Sequence, residues 1–306
     1  LPIFAYNAEH WPDEIALREK AFGIWEELTW SDYHELVRNI ALGLKQLNLG
    51  RGDAAGLIGD NRPDWVAGEI AVHAIGGMIF GIYQDSLNEE VADLINYAGA
   101  RVILAEDEEQ VDKVLEITEQ CPCVEHIIYS DPRGLRKYDD PRLMSLEELL
   151  KIGAEQHAVN PEAYQQLIAA GNGEETAILC PTSGTTSKPK LAMLQAGAML
   201  RHCEDYLQAD PRQPGDNYVS VLPLPWIMEQ VYAVCQSLMA RLVVNFVEEP
   251  ETQMEDLREI GPHFVLLAPR VWETIAADVQ ARMMDASPFK RWIYQFCIRR
   301  AIESFK

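Results

Sequence analysis

Residues 54–83 read AAGLIGDNRPDWVAGEIAVHAIGGMIFGIY. Ala54–Ile58 is a short apolar run, and residues 78–83 form a second one. Between them, Pro63 suits the first turn of a helix, where its missing N–H costs nothing, and apolar residues continue to about Ile75. Two short apolar strands joined by a helix read as one parallel strand–helix–strand unit. The most apolar part, residues 70–83, is too short to span a bilayer, which takes roughly 20 residues. It also carries His73 and the pair Gly76-Gly77. No transmembrane segment is read here, and peripheral contact with a membrane stays open.

The same alternation extends outward. Upstream, Ser31 reads as an N-cap, and Tyr33, Leu36, Val37, Ile40, Ala41, Leu44 and Leu47 follow at helical spacing. Gly50 closes that helix, and Arg51-Gly52-Asp53 makes a turn into Ala54. Downstream, Asn88 opens a helix to Tyr97, residues 102–105 form a strand, 107–120 a helix and 124–129 a strand. Residues 131–142, with Pro132, Gly134, Asp139, Asp140 and Pro141, read as an exposed loop. A helical stretch over 145–170 is broken near Pro161. After Gly171-Asn172-Gly173 the rhythm resumes with strands at 176–180, 218–222, 242–246 and 264–268. The pattern predicts an α/β fold of two packed subdomains, residues 1–170 and 171–306, with largely parallel sheets flanked by helices. The second subdomain reads as incomplete at its C-terminus.

Composition narrows the function. The 306 residues hold 26 Lys and Arg against 48 Asp and Glu, a net charge of −22. That field repels a phosphate backbone and argues against general nucleic-acid binding. Six cysteines show no metal-ligand spacing and read as reduced thiols of a cytoplasmic protein. The acidic stretch 248–256 reads as a solvated loop and helix start, where the helix dipole favours carboxylates.

One segment carries chemistry: Cys180-Pro181-Thr182-Ser183-Gly184-Thr185-Thr186-Ser187-Lys188-Pro189-Lys190. A strand runs into a loop of hydroxyls with one Gly and two Lys. Backbone N–H groups, hydroxyls and ammonium groups together suit an anion. The spacing is not that of a Walker A loop. From these residues alone, a phosphate site and a flexible surface loop both remain open.

Thr182-Ser183-Gly184-Thr185-Thr186-x-Lys188-Pro189-Lys190 resembles the phosphate-binding signature of the adenylate-forming superfamily. That superfamily includes acyl-CoA synthetases, luciferases and the adenylation domains of peptide synthetases. Four more segments, in the family's order, resemble its bacterial long-chain acyl-CoA synthetase branch. They are Gly59-Asp60-Asn61-Arg62-Pro63-Asp64-Trp65, Gly81-Ile82-Tyr83-Gln84-Asp85-Ser86, Leu222-Pro223-Leu224-Pro225-Trp226-Ile227-Met228-Glu229 and Pro269-Arg270-Val271-Trp272-Glu273.

The resemblance implies a ligase acting in two steps. A fatty-acid carboxylate attacks the α-phosphate of ATP, and CoA then displaces AMP. Thr182, Ser183, Gly184, Thr185 and Thr186 would embrace the β- and γ-phosphates, Lys188 and Lys190 would add positive charge, and Mg²⁺ would neutralise the rest. Trp226 stands where many relatives carry His or another aromatic, so it gates or lines the acyl channel, or else it is a core Trp that begins a helix. Arg270 and Trp272 match a structural segment.

The match departs from the signature at Ser187, where Gly is usual, at Leu191, where a Gly follows the second Lys, and at Gln195-Ala196, where Thr-His follows. A non-Gly residue in left-handed backbone costs roughly 1–2 kcal/mol. The loop is therefore expected to be strained, reshaped or poorer for nucleotide. No Tyr-Gly-x-Thr-Glu or Thr-Gly-Asp segment for adenine, Mg²⁺ and ribose is found. The chain is thus expected to be the first part of a ligase, inactive alone, and to self-associate through an open sheet edge. A truncated or degenerate, non-catalytic binding module is the alternative.

Overall fold

All five residues of β3 (Ala54–Ile58) are buried, as only an interior strand covered on both faces allows. In the computed structural model, which describes residues 1–182 and 190–304, β3 lies near the middle of a seven-stranded sheet. In chain order the elements around it are α3 (Pro63–Ala74), β4 (Met78–Ile82), α4 (Asn88–Ala98), β5 (Ala100–Ala105), α5 (Glu108–Ile117), β6 (His126–Tyr129) and β7 (Leu143–Ser145). Then come α6 (Leu146–Val159), α7 (Ala163–Ala170), β8 (Thr176–Thr182), β9 (Lys190–Gln195) and α8 (Ala196–Ala209). The strand order is β7-β6-β5-β3-β4-β8-β9. Every pairing is parallel except β8 with β9. The sheet is buried under Ile58, Phe80, Ile95, Ile103, Val111 and Ile127 among others.

A second sheet has the order β10-β11-β1-β2, built from β1 (Ile15–Ala21), β2 (Ile24–Thr29), β10 (Asn217–Ser220) and β11 (Val243–Phe246). β1 runs parallel to β11 and antiparallel to β2. Both sheets draw strands from either side of residue 171. The short helix α1 (Pro2–His10) precedes β1, and α11 (Gln253–Ile260) follows β11. Between β10 and β11 the chain forms α9 (Ile227–Glu229), a π-helix (Gln230–Gln236) and α10 (Ser237–Ala240).

Four expectations change. Thr29, not Ser31, caps α2 (Trp30–Gln46), because its hydroxyl and the Asp32 carboxylate form a reciprocal box. Strands β1 and β2 carry so many charges that they do not read as strands, and β7 and β9 are short or half-exposed edges. Residues 131–142 include a 3₁₀ turn, Leu135–Lys137. Of the strand expected at 264–268, only a bridge from Phe264 to Tyr218 is formed.

Helices α2 and α6 pack closely because Gly153 has no side chain: a Cβ there would overlap Asn39 O. Residues 1–265 form one compact unit and 266–306 another. The second unit holds α12 (Pro269–Met284) and α13 (Pro288–Ser304), with Phe289, Trp292 and Phe296 stacked along α13. Among the described residues no helix is long and apolar enough to cross a membrane.

Candidate active site

Parallel strands end on the same side of a sheet, and the loops that leave those ends define a crevice. Here the loops after β3, β4, β10 and β11 surround a cleft of about 510 Å³. Its walls include Asp60, Asn61, Tyr83, Asp85, Pro225 and Glu248. Three of the segments singled out in the sequence therefore meet in space.

Asn61 makes the junction. Its Nδ2 donates to Leu222 O at 2.6 Å and to Ser220 Oγ at 2.8 Å, while its Oδ1 accepts from Leu224 N at 3.0 Å. One amide thus fixes the loop that leads to Trp226. Gly81 lets that loop come close, since a Cβ at Gly81 would lie 2.5 Å from Pro225 Cα. Arg62 ties the two sheets together. Its Nε donates to Glu106 Oε1 at 3.1 Å, and its Nη1 donates to Glu19 Oε1 at 3.1 Å.

Behind the loop, Glu229 is fully buried. It accepts from Tyr218 Oη at 2.7 Å and from Ser220 Oγ at 2.5 Å. Burial pushes its carboxyl up to about 7, against the pull of those two hydroxyls. Asn61 donates to Ser220 and Ser220 donates to Glu229, in one chain of hydrogen bonds. The sequence left Glu229 without a role, because its position says nothing about what covers it.

Trp226 is 40% exposed. It begins the helical stretch as the N-cap of α9, and its carbonyl accepts from Glu229 N at 3.0 Å. Its neighbour Pro225 lines the cleft, and Trp226 itself does not.

Of the phosphate-loop residues, Thr182 and Lys190 are described. They end β8 and begin β9 and pair across that hairpin, where Thr182 Oγ1 donates to Lys190 O at 3.2 Å. Both are exposed. Ser183, Gly184, Thr185, Thr186 and Lys188 lie outside the described residues, as does Ser187. The hairpin is next to β4, and β8 is parallel to it, so Thr182 and the cleft share one edge of the sheet. Burial pushes the Tyr83 hydroxyl up, with Cys180 of β8 and Asp85 adding to the effect.

The described cleft walls carry Asp60, Asp85, Glu248 and Glu249 and no Lys or Arg. An anionic ligand there needs positive charge from elsewhere. Among the described residues no group of three or more His, Cys, Asp or Glu is placed to hold a metal ion.

A model described as AMP-binding enzyme matches residues 4–296. The long-chain-fatty-acid–CoA ligase ACSBG1 of Bos taurus is 29% identical over 286 residues, covering 91% of this chain and 39% of that protein. ACSBG2 of Rattus norvegicus, also a long-chain-fatty-acid–CoA ligase, is 28% identical over 302 residues, covering 94% of this chain and 44% of that protein. The chain thus spans less than half the length of these curated relatives.

Among solved structures, acetoacetyl-CoA synthetase from Streptomyces lividans superposes with a TM-score of 0.69 at 19% identity, over 86% of this chain and 41% of that one. The o-succinylbenzoate CoA synthetase from Bacillus subtilis, solved with its acyl-adenylate intermediate, gives 0.67 at 15%, over 90% and 63%. At those identities the likeness is one of fold.

Proposed function

The chain belongs to the AMP-binding enzyme family, and from that premise we propose that it supplies the phosphate-loop and acyl side of an ATP-dependent long-chain fatty acid–CoA ligase. In the reaction we assign, a fatty-acid carboxylate oxygen attacks the α-phosphorus of ATP and pyrophosphate leaves. The CoA thiolate then attacks the acyl carbonyl, and AMP leaves. Thr182, Ser183, Gly184, Thr185 and Thr186 hold the β- and γ-phosphates, and Lys188 and Lys190 offset their charge. Mg²⁺ bound to the phosphates would neutralise further charge. The loop from Pro223 to Trp226 borders the acyl carboxylate.

Within this class we favour the bacterial branch on the wording of residues 59–65 and 222–229, although the two curated relatives above are vertebrate. We also place the protein in the cytoplasm, in keeping with its six unpaired cysteines.

One observation carries the reading. Asn61 and Gly81, from two separate family-like segments, converge on the third at a cleft that shares its edge with the β8–β9 hairpin. An acidic cleft beside a hairpin of hydroxyls and Lys suits a phosphate chain that brings its own cation.

Calorimetric titration of the protein with ATP and Mg²⁺ tests this. Saturable binding is expected, weaker without Mg²⁺ and about tenfold weaker in Lys190→Ala, a change typical of losing one charged contact. Absence of binding to a folded protein overturns the proposal and favours the non-catalytic module that Ser187 and Leu191 suggest.

A further inference from the structure

The proton directions in the chain from Asn61 to Glu229 are fixed by its two ends. Leu224 N can only donate and Leu222 O can only accept, so the Asn61 amide has one orientation: Oδ1 toward Leu224 N, Nδ2 toward Leu222 O and Ser220 Oγ. Ser220 therefore accepts from Asn61 and must spend its own proton on Glu229 Oε1, at 2.5 Å. Tyr218 Oη donates to Glu229 Oε2 at 2.7 Å, and the Leu222 N–H is hydrogen-bonded to the same carboxylate. Three donors thus converge on Glu229. Its ionised form satisfies all of them, because a carboxylate only accepts.

A protonated Glu229 does not. Its new O–H needs an acceptor, and the hydroxyl oxygens it meets already point their own protons at it. Among the described residues neither hydroxyl has another acceptor, so protonation orphans one buried proton, at a cost of roughly 1–3 kcal/mol. Burial nevertheless pushes the carboxyl up to about 7 against the three donors, which brings that choice to neutral pH. Among the described residues no Lys, Arg or His faces the carboxylate. The titratable groups behind it are Tyr218 of β10 and Tyr232 of the π-helix, whose hydroxyls burial pushes up.

The conflict is relieved where the backbone is least fixed. Tyr218 and Ser220 are held in β10 by its ladder with β11. Residues 221–226 belong to no strand or helix, and Asn61 is what ties them down. We propose that Glu229 is a positioning residue for this loop: its carboxylate, as the terminal acceptor of the chain, holds residues 222–226 in place, and a proton on it releases them. For the ligand at the loop, the acyl carboxylate, this rests on the function proposed above. For the coupling itself it rests on the hydrogen bonds.

The test labels the protein with 5-fluorotryptophan and follows ¹⁹F NMR from acid to mildly alkaline pH. Trp226, exposed at the end of the loop, is picked out of the seven tryptophans by Trp226→Phe. Its signal should move with a single midpoint near 7. In Glu229→Gln, which offers one acceptor in place of two and cannot titrate, the signal should stay at its acid position throughout. Should that variant fail to fold, Tyr218→Phe decides: it removes a donor to the ionised form, so the midpoint should rise. A residue that merely fills space would not move it. His263 Nδ1 accepts from Asn217 N at 2.8 Å at the start of the same strand, so His263→Gln is the control and should leave the transition in place. A Trp226 signal that does not titrate, a midpoint indifferent to both Glu229→Gln and Tyr218→Phe, or a transition lost in His263→Gln overturns the proposal.

A binding arm keeps the two readings apart. Decane-1-sulfonate stands in for the fatty acid because its head group stays ionised throughout. Its affinity should fall about fivefold below the midpoint, the worth of one net hydrogen bond, and should lose that pH dependence in Glu229→Gln. A Trp226 signal that titrates with no sulfonate binding at any pH overturns the acyl reading and upholds the coupling. Sulfonate binding that ignores a titrating Trp226 overturns the loop's part in holding the ligand.

Discussion

Replacing Asn61 by Ala removes three hydrogen bonds at once, to Leu222 O, Ser220 Oγ and Leu224 N. Each is worth about 1 kcal/mol net, so the sum is roughly 3 kcal/mol. Asn61 is only partly buried, and water can take over some of these contacts. A loss of roughly 1.5–3 kcal/mol is expected. An unfolding entropy of about 2.1 cal/mol/K per residue over 306 residues makes 2 kcal/mol a fall in Tm of roughly 3 °C.

Asn61→Asp is the sharper test. A carboxylate keeps the acceptor for Leu224 N but places a second acceptor against Leu222 O. It also cannot donate to Ser220 Oγ, whose own proton is already committed to Glu229 at 2.5 Å. At neutral pH Asp should therefore cost at least as much as Ala. On acidification the carboxylic acid regains one donor, and the gap between Asp and Asn should narrow. Thermal melts by circular dichroism at several pH values read both effects, with Ser220→Ala completing a double-mutant cycle. An Asp variant as stable as wild type at neutral pH would show that the amide does not hold the loop. An Ala variant within about 0.5 kcal/mol of wild type would show the same, since that is the ordinary scatter of surface substitutions.

Gly81→Ala should destabilise by about 1–3 kcal/mol, the usual cost of overpacking, because the nearest atom to the new Cβ is backbone, Pro225 Cα. Unchanged melting would refute the close approach. Glu69 predicts a pH dependence. Unfolded, its carboxyl ionises near 4.5; burial raises that to about 8, and its neighbours are themselves held neutral, Tyr33 by burial and Cys235 by its hydrogen bond with Cys203 and by burial. Between those values the folded state keeps a proton that the unfolded state has lost. Stability from this group therefore falls as pH rises from about 4.5 to about 8 and is level beyond. Glu69→Gln should be more stable than wild type at pH 8 by roughly 2–4 kcal/mol relative to their difference at pH 4.5, and parallel curves would refute it. At Ser187, Gly should tighten ATP while Ala should not, if left-handed backbone rather than the hydroxyl is the obstacle. Equal gains from both would reverse that assignment. Light scattering across a wide concentration range tests self-association, and a constant monomer mass would refute it.

Part of the cleft was legible in one dimension. The segments 59–65, 81–86 and 222–229 stood out by their resemblance to family segments, and the structure brings them to one cleft. Thr182 and Lys190 stood out too, and they face each other across a hairpin whose second strand was not anticipated. Glu229 and Glu69 were not legible. Along the chain both are carboxylates on helical stretches, positions that ordinarily face solvent. What makes them distinctive is the layer that covers them: Tyr218 and Ser220 over the first, the π-helix beside the second.

The sequence by itself determined those elements whose cause is local. The apolar run of β3, the proline that opens α3 and the apolar run of β4 need only near neighbours, and their bounds were read within a residue or so. Only the tertiary structure decided which strands pair. β1 lies beside β11, with Leu17 opposite Val244, and β8 joins the sheet of β3 and β4 rather than that of β10. The ladder is made by backbone N–H and C=O groups, which every residue but proline carries alike. A strand's partner is therefore chosen by which faces must be buried together, and that is a property of the whole packed chain.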